Sequence, residues 1–169
     1  MGVLDGNPTD EPMHYGEVFG VWSSVLATKG MIAGHQTHLN HTGDQDLANL
    51  IKESIQQAER DVKEMETLLK DNGISLPSAP PERPKAQVED IPAGARMQDP
   101  EIAASMSAEV AAGLVSCSTM MGESIREDII AMYGQFHTQM AAMGGKLLRL
   151  NKQKGWLVPP PLHHKPENS

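Results

Sequence analysis

One cysteine, Cys117, stands in 169 residues, so no disulfide forms within the chain and a reducing compartment is implied. Aromatic residues are scarce as well: two Trp, two Tyr and two Phe. No apolar run approaches the ~20 residues that span a bilayer. The opening MGVLDGNPTDEP has neither the basic start nor the apolar stretch of a secretory signal. Positive charge is also short. A net charge of -8 disfavours phosphate backbones and anionic membranes as partners. Basic residues gather only at Lys146, Arg149, Lys152 and Lys154, where they complement the C-terminal end of a helix dipole. A Gly-rich phosphate loop, a Cys-x-x-Cys pair and a Ser-His-Asp set are all missing. These absences leave a cytosolic single domain with no nucleic-acid or membrane partner.

What is present is methionine, glycine and proline, at 11, 15 and 12 residues. The Met residues follow helical spacing, which makes them core filler rather than a soft-metal cluster. Glycine inside a helix costs about 1 kcal/mol relative to Ala, and close helix approach is what offsets it.

The apolar spacing predicts four helices, at about 10–42, 45–72, 100–121 and 125–154. Thr9-Asp10-Glu11-Pro12 is the expected start of the first, and Tyr15, Val18, Trp22, Val25, Ile32 and Leu39 its buried stripe. Asp44 caps the second after a turn at Gly43 so short that the two helices must run antiparallel. The second helix separates Leu47, Ile51, Ile55, Ala58, Val62, Met65 and Leu69 from a charged, solvated face. Asp99-Pro100-Glu101 opens the third, whose stripe holds Met106 and Cys117. Gly122 closes it, and a Ser124–Glu127 capping box opens the fourth. A single helix kinked near Gly122 is the rival. Ile129, Met132, Phe136, Met140, Met143, Leu147 and Leu150 form the clearest heptad.

Between the pairs lies a Pro-rich crossover, residues 74–98. Fully extended it reaches ~80 Å, against ~42 Å for a helix of this size. The expected fold is all-α: two helical hairpins joined by one long crossover, as in ferritin-like four-helix bundles. The apolar tail from Trp156 to Leu162 is expected to pack on the end of the bundle or on another subunit.

Several stretches resemble a family of small ferritin-like proteins from endospore-forming bacteria, related to spore coat protein F. They are EPMHYGEVFGVW at 11–22, LNHTGD at 39–44, PPERP at 80–84, SIREDIIAMYGQFH, and LLRLNKQKGWLVPPPL to residue 162. The resemblance implies a non-enzymatic component of the spore or the sporulating cell. Flat helix surfaces at Gly16, Gly20, Gly30 and Gly34, or the apolar tail, are expected to join it to a second copy or to other spore proteins, and no cofactor is expected.

Di-metal bundles need a Glu from each of two helices and a Glu-x-x-His from each of the others. That pattern is absent. Gly134 stands three residues before His137, the second helix has no His, and the first offers only the reversed His14-x-x-Glu17. Extending the first-helix stripe places Lys29 at mid-bundle, so a polar cluster of Lys29, Glu59 (or Asp61), Glu109 and His137 is expected where relatives would hold metals. The other arrangement lets Lys29 snorkel to water past Gly30. His35, His38 and His137 are the residues a degenerate, single-metal site would use, and this metalloprotein is the alternative function. His41 completes an H-x-x-H-x-x-H run, and His163-His164 in the tail is expected to face solvent. A small-ligand pocket in the Met-lined core is a further possibility.

Overall fold

The computed structural model describes residues 11–163, so Thr9, Asp10 and His164 lie outside the described residues. Four helices follow: α1 (Tyr15–His41), α2 (Gln45–Asp71), α3 (Asp99–Glu123) and α4 (Glu127–Lys154). Short 3-10 turns at Val88–Asp90 and Ala93–Ala95 interrupt the crossover, and no strand occurs among the described residues. α1 pairs with α2 and α3 with α4. Thr42 Oγ1 donates to Asp99 Oδ1 at 2.6 Å, which puts the start of α3 beside the end of α1. α1 and α3 therefore run antiparallel, while the crossover climbs the whole bundle.

That climb is tied to α1 throughout. The Trp22 indole donates to the Ser75 carbonyl, Lys29 Nζ to that of Pro77, and Asn40 to that of Pro84, while Gln36 accepts from the Arg83 amide. Each bond satisfies a backbone group that Pro-rich chain cannot pair with itself. α1 thus faces two layers, the bundle and the crossover, and its buried set is Glu17, Val21, Val25, Ala33, His35 and His38. Tyr15, expected in the stripe, is 95% exposed.

The helix ends correct the expected capping. α1 begins at Tyr15 rather than near residue 10, with His14 as its N-cap. His14 Nδ1 accepts from Gly16 N and Glu17 N, and Glu17 Oε2 accepts from His14 N at 3.0 Å. The reversed His14-x-x-Glu17 motif is therefore a capping box. Asp44 caps α2 as expected, through the amides of Asp46 and Leu47. Gln98, not Asp99, forms the box with Glu101 at the start of α3. Gly122 stays helical, and the chain breaks at Ser124–Arg126, so α3 and α4 are separate helices. The Ser124–Glu127 box does not form, because Ser124 Oγ bonds back to the Met120 carbonyl at 2.6 Å. Gly155, at φ 71°, closes α4 in the left-handed conformation that favours glycine. In the tail Trp156 packs on the core, while Val158 and Leu162 stay exposed.

Glu17 does more than cap its own helix. Its Oε1 accepts from the amides of Ile125 and Arg126, at 2.8 and 3.0 Å, just where α4 begins. The buried Arg126 guanidinium holds both Asp128 oxygens, the Asn72 side chain and the Glu11 carbonyl. One polar network thereby locks α1, the end of α2 and the α3–α4 turn at the lower end of the bundle.

Candidate ligand cavity at the bundle midplane

The apolar core is divided. A lower cluster gathers Val21, Val25, Val62, Met65, Leu69, Cys117, Met120, Ile129, Met132, Tyr133 and Phe136. An upper one gathers Leu47, Leu50, Ile51, Ile102, Ala103, Met106, Leu147 and Leu150. Between them all four helices line a cavity of about 540 Å³. It exists because its walls present small or flexible residues, among them Ala58, Ala112 and Gly113 beside Met31, Met140 and Met143. It opens to the outside, with Glu53 and Lys146 nearly half exposed at its rim, so water reaches it.

Its polar groups sit at defined places. Tyr133 Oη donates to Ser24 Oγ at 2.9 Å, and burial pushes the phenol up to about 12. Gln57 Nε2 donates to Asp61 Oδ1 at 2.7 Å and to the Gln139 carbonyl oxygen across the α2–α4 seam, where Lys146 also meets Glu53. Burial raises the Asp61 carboxyl despite the Gln57 bond, and burial, then the charge of Asp61, raises the Cys117 thiol. Cys117 is thus a buried, weakly acidic core residue. In the sequence Asp61 stands only as the alternative to Glu59 beside Lys29, and the Gln57–Gln139 pair does not stand out. The signal was there: Gln57, Asp61 and Met65 repeat at four on α2's inner side.

The expected midplane cluster does not assemble. Lys29 pairs with Glu66 of α2 at 2.6 Å and reaches the crossover, with its side chain 15% exposed. Glu59 lies on the outer, exposed side of α2. His137 is half-buried, and among the described residues no hydrogen bond or ion pair joins it to Lys29, Glu59 or Glu109. The physical reason is the crossover: its free carbonyls draw Lys29 outward, away from the bundle axis.

Glu109 instead meets His35, Oε2 to Nε2 at 2.7 Å, across the α1–α3 seam. Ser105 Oγ donates to its other oxygen. Burial would raise Glu109, but the His35 bond and the nearby imidazoles together hold it below the usual range. His35 and His38 are both buried, their ring centroids 5.6 Å apart, and the Nδ1 atom of each lacks a hydrogen-bond partner. No group of three or more His, Cys, Asp or Glu converges as a metal site among the described residues.

Burial lowers His38, with His35 and His41 adding to it and Glu109 opposing. A base whose folded value is depressed leaves stability intact above its ordinary value of 6.5 and loses it as acid protonates the unfolded chain first. Glu109 adds a second loss below its ordinary 4.5. The thermal midpoint should accordingly fall on acidification from about pH 7 to about pH 5, and fall less in His38→Gln. Equal losses in both proteins would rule out His38 as the group responsible.

Residues 1–168 match the family described as protein of unknown function, DUF3231. The uncharacterized protein YvdQ of Bacillus subtilis is 60% identical over 163 residues, 96% of each chain. A crystal structure from Bacillus halodurans, provisionally named a spore coat protein, superposes with a TM-score of 0.93 at 54% identity. It covers 94% of this chain and 100% of that one. The matches span the hairpins, the crossover and the cavity walls alike, and the chain belongs to the DUF3231 family.

Proposed function

We propose that the chain is a non-enzymatic structural or interaction protein of the spore or sporulating cell, a ferritin-like bundle that assembles with a second copy through its α1–α3 face. One observation carries this. The outward faces of α1 and α3 hold no charged residue between Tyr15 and Thr37 or between Val110 and Gly122, whereas α2 presents Lys52, Glu53, Glu59, Arg60, Lys63, Glu64 and Lys70. Tyr15, Phe19 at 69% and Val115 at 67% exposure lie on the uncharged side. The stretch Ala93–Glu123 is apolar enough by composition to cross a membrane, yet only 22% of its most apolar window is buried.

A second copy suits this face better than a charged partner does. Two chains of net charge -8 repel, and an uncharged face is where they meet most cheaply. An antiparallel pairing of α1 about Ser23 sets Phe19 against Ala27 and Gly16 against Gly30. Large meets small, as an isologous interface requires. Helices of 25–27 residues are about 40 Å long, and two side by side offer ~800 Å², the share each partner gives a standard interface. The spore setting rests on the name of the Bacillus halodurans relative.

Sedimentation should find a dimer that Phe19→Glu with Val115→Glu turns into a folded monomer. A monomeric wild type at about 100 μM, or a dimer indifferent to both changes, refutes the assembly. The metalloprotein alternative draws on the two unpartnered His nitrogens. One iron or manganese per chain in untagged protein, lost in His35→Ala, would establish it instead.

A further inference from the structure

The midplane cavity carries more than a packing defect. Its walls are mostly thioether, methyl and aromatic surface from Met31, Met65, Val110, Phe136, Met140 and Met143. At about 540 Å³ it falls within the range of small-molecule sites, about 300–1,000 Å³. Its charge is one-sided, with Glu53, Asp61 and Glu109 in the lining against Lys146 alone. Lys146 is engaged by Glu53, and Glu109 by His35. Asp61 differs. It accepts from Gln57, and no Lys, Arg or His nitrogen among the described residues lies within 4.0 Å of it; Arg60 acts on it only from a distance.

We propose that this cavity binds an amphipathic amine, its ammonium paired with Asp61 and its apolar body laid along the Met-lined walls. A carboxylate half-withdrawn from water without a counter-charge is an unmet demand, and a cation meets it. The same negative lining opposes fatty acids and other anionic amphiphiles of equal size. Neutral alcohols lack the charge but not the fit, so they bind more weakly. The Gln57–Gln139 bridge places hydrogen-bonding groups beside the head while leaving the walls apolar. All the groups named come from one chain.

The test uses the full-length protein with its Met methyl groups isotopically labelled, titrated with octylamine, octanol and octanoate below their micellar concentrations. Octylamine should shift the Met31, Met65, Met140 and Met143 resonances saturably, at least about tenfold more tightly than the other two. Asp61→Asn, isosteric and relieved of a buried charge, should keep the fold and remove that preference. Overturning results are the absence of any saturable Met shift, octanol or octanoate binding as tightly as octylamine, or a preference that survives in Asp61→Asn.

Discussion

Replacing Glu17 by Ala should lower the folding free energy by about 3–5 kcal/mol, among the largest losses a single substitution in this chain produces. Three backbone donors converge on this one carboxylate: His14 N, Ile125 N and Arg126 N. With the side chain 1% exposed, water cannot replace it at those donors. Its charge also faces the start of α4, where the helix dipole favours an anion, and it lies near the buried Arg126. Asp128 would continue to hold Arg126, which keeps the loss below that of a fully orphaned charge. Against a net stability of about 5–15 kcal/mol, the midpoint should fall by about 10 °C. Glu17→Gln retains one accepting oxygen but turns an N–H2 toward a donor, so an intermediate loss is expected. Calorimetry of the three proteins decides, and a fall under about 2 °C for Glu17→Ala would show that the network is dispensable.

Glu17 also marks where sequence pattern stops being informative. Spacing identifies α2 because a helix with one wet side and one dry side writes a clean apolar stripe. It identifies α4 by its heptad, and the crossover by its prolines and its reach. α1 has no such contrast, since the bundle, the crossover and the uncharged outer face surround it. Its apolar residues are therefore spread around the helix, and extrapolating one stripe put Tyr15 inward and Lys29 at the axis. Tyr15 is exposed, and Lys29 turns to the Glu66 carboxylate of α2 and to the Pro77 carbonyl 48 residues away, partners that a local pattern cannot contain. Likewise a carboxylate that caps a helix 108 residues downstream leaves no periodic trace. The cavity was only half legible. Met at heptad positions reads as core, and whether core side chains meet or leave a void depends on the small residues opposite them on three other helices.

That dependence gives opposite expectations for two glycines that look alike in sequence. At Gly20 an added Cβ would collide with Met120 Sδ, and at Gly113 with Met140 Sδ. In both cases the intruding atom is the end of a flexible thioether, and in both an Ala would gain about 1 kcal/mol of helix propensity. What differs is the room behind the sulfur. Met120 is 6% exposed and sealed among Val21, Val25, Cys117, Ile129 and Tyr133, so displacing it strains a filled cluster at a cost of about 2–3 kcal/mol. Met140 borders the midplane cavity and turns into open space, where its sulfur gains contacts. Gly20→Ala should therefore destabilise by about 1–2 kcal/mol and Gly113→Ala stabilise by about 1 kcal/mol, a spread of several degrees between the two midpoints. Urea unfolding measures both. Two variants that shift together, in either direction, would mean that the midplane is packed as tightly as the lower cluster and that no cavity waits there to be filled.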